Sequence, residues 1–282
     1  MAKSNSRRDP IYMTVLIYAI LIIVTVVTVY PIIRVIGISL RPGDMLHTTS
    51  LRLIPENATF DSYRQLFTEQ PFLRWLLNST LVSFTVTVIG VSLASTAGYA
   101  FSRYRFIGRD FGMIALITTQ MFPVTMLLLP LFLMLLHLKI YDTFLGLVIA
   151  YSATALPFCI WQMKGYYDTI PVSLEEAARI DGCTQWQTFY LVVLPLAAPA
   201  LVITALFSFM AAWSEYLVAA VLINDNSLYT LPIGLKQFQS AFDTQWGLYS
   251  AGAVVVSIPV MILFLLLSRW LVSGLTLGSV KG

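Results

Sequence analysis

The chain has 282 residues, 58% of them hydrophobic and only 11% charged, whereas soluble domains carry about 25% charged residues. That balance excludes a soluble globular domain and points to an all-α polytopic membrane protein. The net charge of +3 comes without a basic block, which argues against nucleic acid as a partner.

The N-terminal tail carries Lys3, Arg7 and Arg8 and leads into an apolar run too long for a signal-peptide core. No small-residue cleavage site follows, so the run reads as a retained first span. Six apolar runs lie at about 12–33, 76–101, 111–136, 143–163, 197–222 and 249–271, each close to the roughly 20 residues that ~30 Å of hydrocarbon demands. They imply six transmembrane helices in a single domain, 1–282, immersed in membrane lipid. Pro31, Pro123, Pro130, Pro157 and Pro259 fall in or beside these runs, so kinked or broken spans are expected.

Orientation follows the lysines and arginines of the short loops. The N-terminal tail, the turn 102–110 with Arg103, Arg105 and Arg109, and the C-terminal end with Arg269 and Lys281 share one side in a six-span chain. Both termini are therefore expected to be cytoplasmic. The segment 40–74 is neutral and falls outside. Within it "NATFDSYRQLF" places Phe60, Tyr63 and Phe67 at helical spacing, predicting a short amphipathic helix at the outer surface. The loop 223–248 is polar, aromatic and longer than a minimal turn, as functional and plain solvated loops both are.

Cys159 and Cys183 stand far apart, and His47 and His137 lie near span ends, so the sequence offers neither a disulfide framework nor a metal site. No G-x-x-x-x-G-K-[ST] occurs, so no ATP site of that kind is expected in this chain. No nucleophile–base pair stands out, and the chain does not read as an enzyme.

The polar stretch 164–196 breaks the positive-inside pattern, setting Lys164 and Arg179 against Asp168, Glu175, Glu176 and Asp181. Its centre is "SLEEAARIDG". Ser173 and Glu176 have the spacing of a capping box, which predicts a helix starting there and stopping at Gly182 in a left-handed conformation. Leu174, Ala177, Ala178 and Asp181 are then expected on one shallow face open to a partner. Thr184 and Gln187 form a second box that opens another helix, "QWQTFYLVVL", ended by Pro195.

The order Glu176-Ala177-Ala178, three residues, Gly182, nine residues, Val192, one residue, Leu194-Pro195 resembles the EAA signature of ABC-importer permeases, with valine where isoleucine is usual. "NSTLVSFTVTVIGVSLASTAGYAFSRYRFIGRD", "AAWSEYLVAAVL" and "RWLVSGLTLGSVKG" extend the resemblance over nearly the whole chain to carbohydrate permeases of the maltose (MalG-like) type, with Ser214 where asparagine is common. The resemblance implies a type I ABC-importer fold in the bacterial inner membrane. Its partners would be a second, MalF-like permease subunit, an ATPase homodimer and an extracytoplasmic sugar-binding protein.

It further implies that no cofactor belongs to this chain, ATP and Mg lying on the ATPase. Ser173, Glu176, Ala177, Ala178, Asp181, Gly182, Leu194 and Pro195 would form the coupling segment, and the tail with Gly274, Gly278 and Lys281 would reach toward the ATPase. Glu215 is the one acid inside an expected span. It reads either as a structural pairing near the interface or, with Trp213 and Tyr216, as a flank of a sugar pathway. Gln120, Met121 and Trp161 are further pathway candidates. A proton-coupled secondary sugar transporter is the alternative, and it asks for paired intramembrane acids and internal repeats that the sequence lacks.

Overall fold

The computed structural model describes residues 11–44, 52–240 and 244–277, and every described element is helical. Helices satisfy their backbone hydrogen bonds internally, the condition for crossing hydrocarbon. Four helices are long and apolar enough to span: α1 (Ile11–Ser39), α3 (Phe72–Arg103), α6 (Phe144–Tyr167) and α13 (Trp246–Leu277). The count reaches six when each of two bent helix pairs is taken as one span.

The first bent pair is α4 (Arg109–Thr119) with α5 (Val124–His137), which meet at 104°. Pro123, with no N–H to offer the preceding turn, stands at the N-cap of α5. The third expected run is thus broken at an expected proline, while Pro31, Pro130, Pro157 and Pro259 lie inside unbroken helices. The fifth run is also broken, without a proline. Its first part, α10 (Ala198–Trp213), stops before Ser214, and α11 (Leu217–Leu222) follows.

The chain divides into two compact units, 1–70 with 238–255, and 71–237 with 256–282. In the first unit, α2 (Asp61–Thr68) is the short helix expected in this segment, with Phe60 at its N-cap. Its fully buried residue is Leu66, whereas Phe60 and Phe67 are exposed. The Tyr63 hydroxyl lies 2.8 Å from Ser39 Oγ at the end of α1, and Thr59 N–H donates to the Leu40 carbonyl at 2.9 Å.

In the second unit α3 is the spine, packed along α6 and α10. Gly90, Ala94 and Gly98 recur every four residues and let backbones approach. A Cβ on Gly90 would lie 2.7 Å from Ser208 Oγ of α10, and one on Gly98 would lie 2.8 Å from Met163 Cβ of α6. Around these contacts one cluster gathers Val82, Val86, Leu147, Tyr151 and Leu222. A second gathers Tyr99, Met163, Tyr167, Phe189 and Val193.

The segment from 223 is not a solvated loop. It carries α12 (Leu231–Lys236), whose Leu231, Ile233 and Leu235 are buried. Asn78 Nδ2 of α3 donates to the carbonyls of Ser227 and Tyr229 at 2.9 Å each, and Leu231 N–H donates to Ser79 Oγ at 2.7 Å. Gly234 lies directly on the Trp75 ring, leaving no room for a side chain. Asp142, in the turn before α6, accepts from the Asn224 and Asp225 N–H groups at 2.8 and 3.1 Å.

Gly98→Val should overpack the α3–α6 contact and destabilise the protein by about 1–3 kcal/mol. A lowered melting midpoint in detergent checks this, and Gly165→Ala, with open space around its Cβ, is the control that should change little.

Candidate coupling site and transport pathway

Between α6 and α10 the chain builds a helix–turn–helix. Its first arm is α7 (Val172–Ile180). The Ser173–Glu176 box does not form: Pro171 is the N-cap, with φ −59°, and no side chain caps this end. Proline starts the helix before Ser173, which then lies within the first turn and cannot take the cap position. The C-terminal expectation holds. Gly182 has φ +91°, Cys183 N–H donates to the Ala178 carbonyl at 3.0 Å, and Gly182 N–H to that of Arg179 at 3.1 Å. These bonds make a Schellman stop, whose left-handed residue favours glycine.

The second arm opens on the Thr184–Gln187 box, with both reciprocal bonds present at 3.3 and 2.8 Å. It runs as α8 (Gln185–Thr188), a π turn over Phe189–Val193, and α9 (Leu194–Leu196). Pro195 therefore lies inside this arm and does not end it. The wider turn directly precedes the proline, which has no N–H for the carbonyl four residues back. The chain then bends by 77° into α10.

One face of α7 is locked to α3. Glu175, only 2% exposed, accepts from Arg103 Nε at 2.5 Å through Oε1 and from the Tyr99 hydroxyl at 2.7 Å through Oε2. Arg103 also donates to the Ile170 carbonyl at 2.9 Å and to Ser102 Oγ at 3.0 Å. Ser102 Oγ in turn donates to Asp168 Oδ1 at 2.6 Å, and Lys164 pairs with Asp168 at 2.7 Å. Burial alone would raise the Asp168 carboxyl, but the bonds from Lys164 and Ser102 and the charges of Lys164 and Arg103 outweigh it. Its pKa is held below the usual carboxylate value.

The opposite face of α7 is open. Leu174, Glu176, Ala177, Ile180 and Asp181 are exposed there, and Ser173 is exposed at the first turn. Ala178 departs from expectation, for it is 8% exposed and turns inward with Glu175. The acid that anchors the helix, Glu175, is thus the neighbour of the one singled out from sequence. No local signal marked it: position 175 is one turn from Ala178, which was itself expected on the open face, and its partner lies 72 residues away. Arg103, read from sequence for topology alone, is its partner.

The pathway candidates do not converge on one site. Gln120 lies in the α4–α5 break, donates to the Thr154 carbonyl at 3.0 Å, and lines a cavity of about 140 Å³ with Thr119, Thr154, Leu131 and Val218. Met121 is exposed beside it, and Trp161 is half exposed on α6. Trp213 is 2% exposed, with its indole N–H donated to the Val256 carbonyl at 3.2 Å, so it is a packing residue in this conformation. Glu215 caps α11, its Oε1 accepting from Val218 N–H at 2.8 Å, and its carbonyl accepts from the Tyr151 hydroxyl at 3.3 Å. Tyr216 is half-buried against the same cluster as Tyr151.

In the tail, Gly274 falls within α13, while Gly278 and Lys281 lie outside the described residues. Among the described residues no group of three or more His, Cys, Asp or Glu is placed to hold a metal ion, and both cysteines are free.

Helices interrupted within apolar runs are found in membrane transporters, where irregular backbone lies beside protein or a cavity. Residues 87–276 match the family described as binding-protein-dependent transport system inner membrane component, and the chain belongs to that family. It is 36% identical to the maltose/maltodextrin transport system permease protein MalG of Escherichia coli K12, over 100% of this chain and 99% of that one. To the protein of the same description from Photorhabdus laumondii it is 38% identical over 90% of each.

The fold is similar to that in the crystal structure of a bacterial ABC transporter involved in the import of the acidic polysaccharide alginate, with TM-score 0.80 and 25% identity. That match covers 95% of this chain and 99% of that one. The protein is thus a multi-pass inner-membrane permease of a binding-protein-dependent ABC importer of the carbohydrate family. It is a transport subunit and not an enzyme.

Thr184→Ala removes a cap of about 1 kcal/mol, so amide exchange over 185–188 should quicken about fivefold. Hydrogen-exchange mass spectrometry checks this, with α3 unaffected.

Proposed function

We propose that this chain is one permease half of an ATP-driven importer of an oligosaccharide of the maltodextrin type. A second, MalF-like permease completes the pathway, an ATPase homodimer supplies the energy, and an extracytoplasmic binding protein delivers the sugar. Both termini and the α7–α8 hairpin lie on the cytoplasmic side, where Arg103, Arg105 and Arg109 also fall.

The observation that carries the reading is the two-faced hairpin. One face of α7 is bonded to α3 through Glu175, and the other presents Leu174, Glu176, Ala177, Ile180 and Asp181. A face that mixes apolar side chains with acids suits an apolar groove with basic edges. Similarity to the maltose/maltodextrin permeases at 36–38% identity supports the sugar class. The sugar path is assigned to the two breaks, at 120–123 and 214–216, where Gln120, Glu215 and Tyr216 stand. Backbone leaves the helix there, which hydrocarbon tolerates only beside protein or a cavity. Glu215, bonded to the Val218 N–H, is the one acid inside an expected span, whereas a proton-coupled carrier asks for paired intramembrane acids.

Purification of the tagged chain from its own cells should bring down a second permease and an ATPase, and binding-protein-dependent maltodextrin uptake should require it. Ala177→Trp blocks the open face, and Gly182→Val places a branched residue at φ +91° at a cost of about 1–2 kcal/mol. Both should lower ATPase copurification and uptake while leaving the chain in the membrane. Unchanged ATPase binding and uptake in both variants would remove the coupling reading.

A further inference from the structure

α3 holds a different element at each end. Near its start, Asn78, Ser79 and Trp75 grip the segment 227–234. At its last turn Tyr99 and Arg103 grip α7. The helix is continuous over its 32 residues, and Asn78 and Arg103 stand 25 residues apart, about 38 Å at 1.5 Å per residue. The α4–α5 and α10–α11 segments are broken and lack this continuity.

A buried ion pair is an unusual choice for the lower grip. Apolar side chains of similar volume hold two helices together as well as a buried pair does, since desolvation offsets most of the attraction. Apolar contacts, however, slide. The Arg103–Glu175–Tyr99 cluster fixes direction: both carboxylate oxygens are used, and the guanidinium spans Glu175 and the Ile170 carbonyl at the start of the same hairpin. Such a planar fork resists rotation and translation of α7 against α3. The Tyr99–Phe189 ring pair, at 4.8 Å, ties the second arm of the hairpin to the same turn of α3.

We infer that Glu175, acting through Arg103 and Tyr99, is a positioning residue that makes α7 and α3 move as one body, so that displacement of the hairpin reaches the 227–234 segment at the far end of α3. This rests on the reading of α7 as the element that meets the ATPase. Glu175 is not part of the open face and need not touch the ATPase. Its role is to turn movement of that face into movement of the span.

The test uses the complete transporter in lipid nanodiscs with its loaded binding protein, and reads sugar transported per ATP hydrolysed, normalised to bound ATPase. Glu175→Gln should keep the ATPase bound and hydrolysing, while sugar moved per ATP falls about tenfold, within the range that substitutions along coupling networks produce. Binding-protein stimulation of hydrolysis should fall with it. Tyr99→Phe, which removes one bond and no charge, should lower the ratio about threefold. Arg103→Lys should lower it as well, because an ammonium cannot span Glu175 and Ile170 together. The exchanged pair Arg103→Glu with Glu175→Arg should recover part of the loss.

An unchanged ratio in Glu175→Gln overturns the inference, and so does loss of ATPase binding in step with transport, since Glu175 would then only shape the docking face. Should Glu175→Gln fail to accumulate in the membrane, Tyr99→Phe decides by the same ratio. If the unaltered chain binds no ATPase, the proposed function itself falls, whatever these variants do.

Discussion

At Gly98 the backbone of α3 comes so near α6 that one added carbon would sit 2.8 Å from Met163 Cβ, and this spacing sets what surrounds it. A close approach at the last turns of α3 brings Tyr167 and Ile170, at the end of α6 and just beyond, beneath Tyr99 and Arg103. The chain leaving α6 has little choice of direction. It passes Asp168, tied to Ser102, and enters α7 with Glu175 already facing Arg103. The hairpin is therefore aimed by helix packing, and its own hydrogen bonds then hold it.

The membrane imposes the complementary constraint. Lipid tails supply no hydrophobic drive to bring helices together, so association depends on shape and on polar bonds. Gly90, Ala94 and Gly98 provide the shape. The polar bonds stand at the two ends of α3, at Asn78 and Ser79 and at Tyr99 and Arg103. In the middle, Cys159 Sγ and Ser208 Oγ meet at 3.3 Å, a weak contact between α6 and α10. Strong bonds at the ends and close apolar packing between them make the second unit stiff along α3.

Two segments of the second unit, α4–α5 and α10–α11, are broken. The breaks are stabilised locally: Glu215 caps α11, and Gln120 bonds the Thr154 carbonyl. Each of these side chains answers a backbone group that would otherwise face an apolar surrounding. Residues first read as pathway candidates are thus structural parts of the breaks.

Much of this was legible along the chain. Apolar runs of sufficient length specify spans because hydrocarbon thickness is fixed, and the Thr184–Gln187 box and the left-handed Gly182 are local backbone requirements that a few residues settle. What local pattern missed has a common cause. The Ser173–Glu176 box failed because Pro171 set the helix start. Pro195 did not end its arm because a wider turn accommodated it. Ala178 turned inward and Glu175, beside the expected Glu176, became the anchor, since which acid is buried depends on a partner 72 residues away. The loop 223–248 read equally as functional or solvated, because the bonds that fold its 227–231 part come from Asn78 and Ser79. Length, hydropathy and capping act over a single turn or a single span, and the sequence determined those alone. Which face of a helix is held and which is left open depends on contacts between distant segments, and only the tertiary structure decided it.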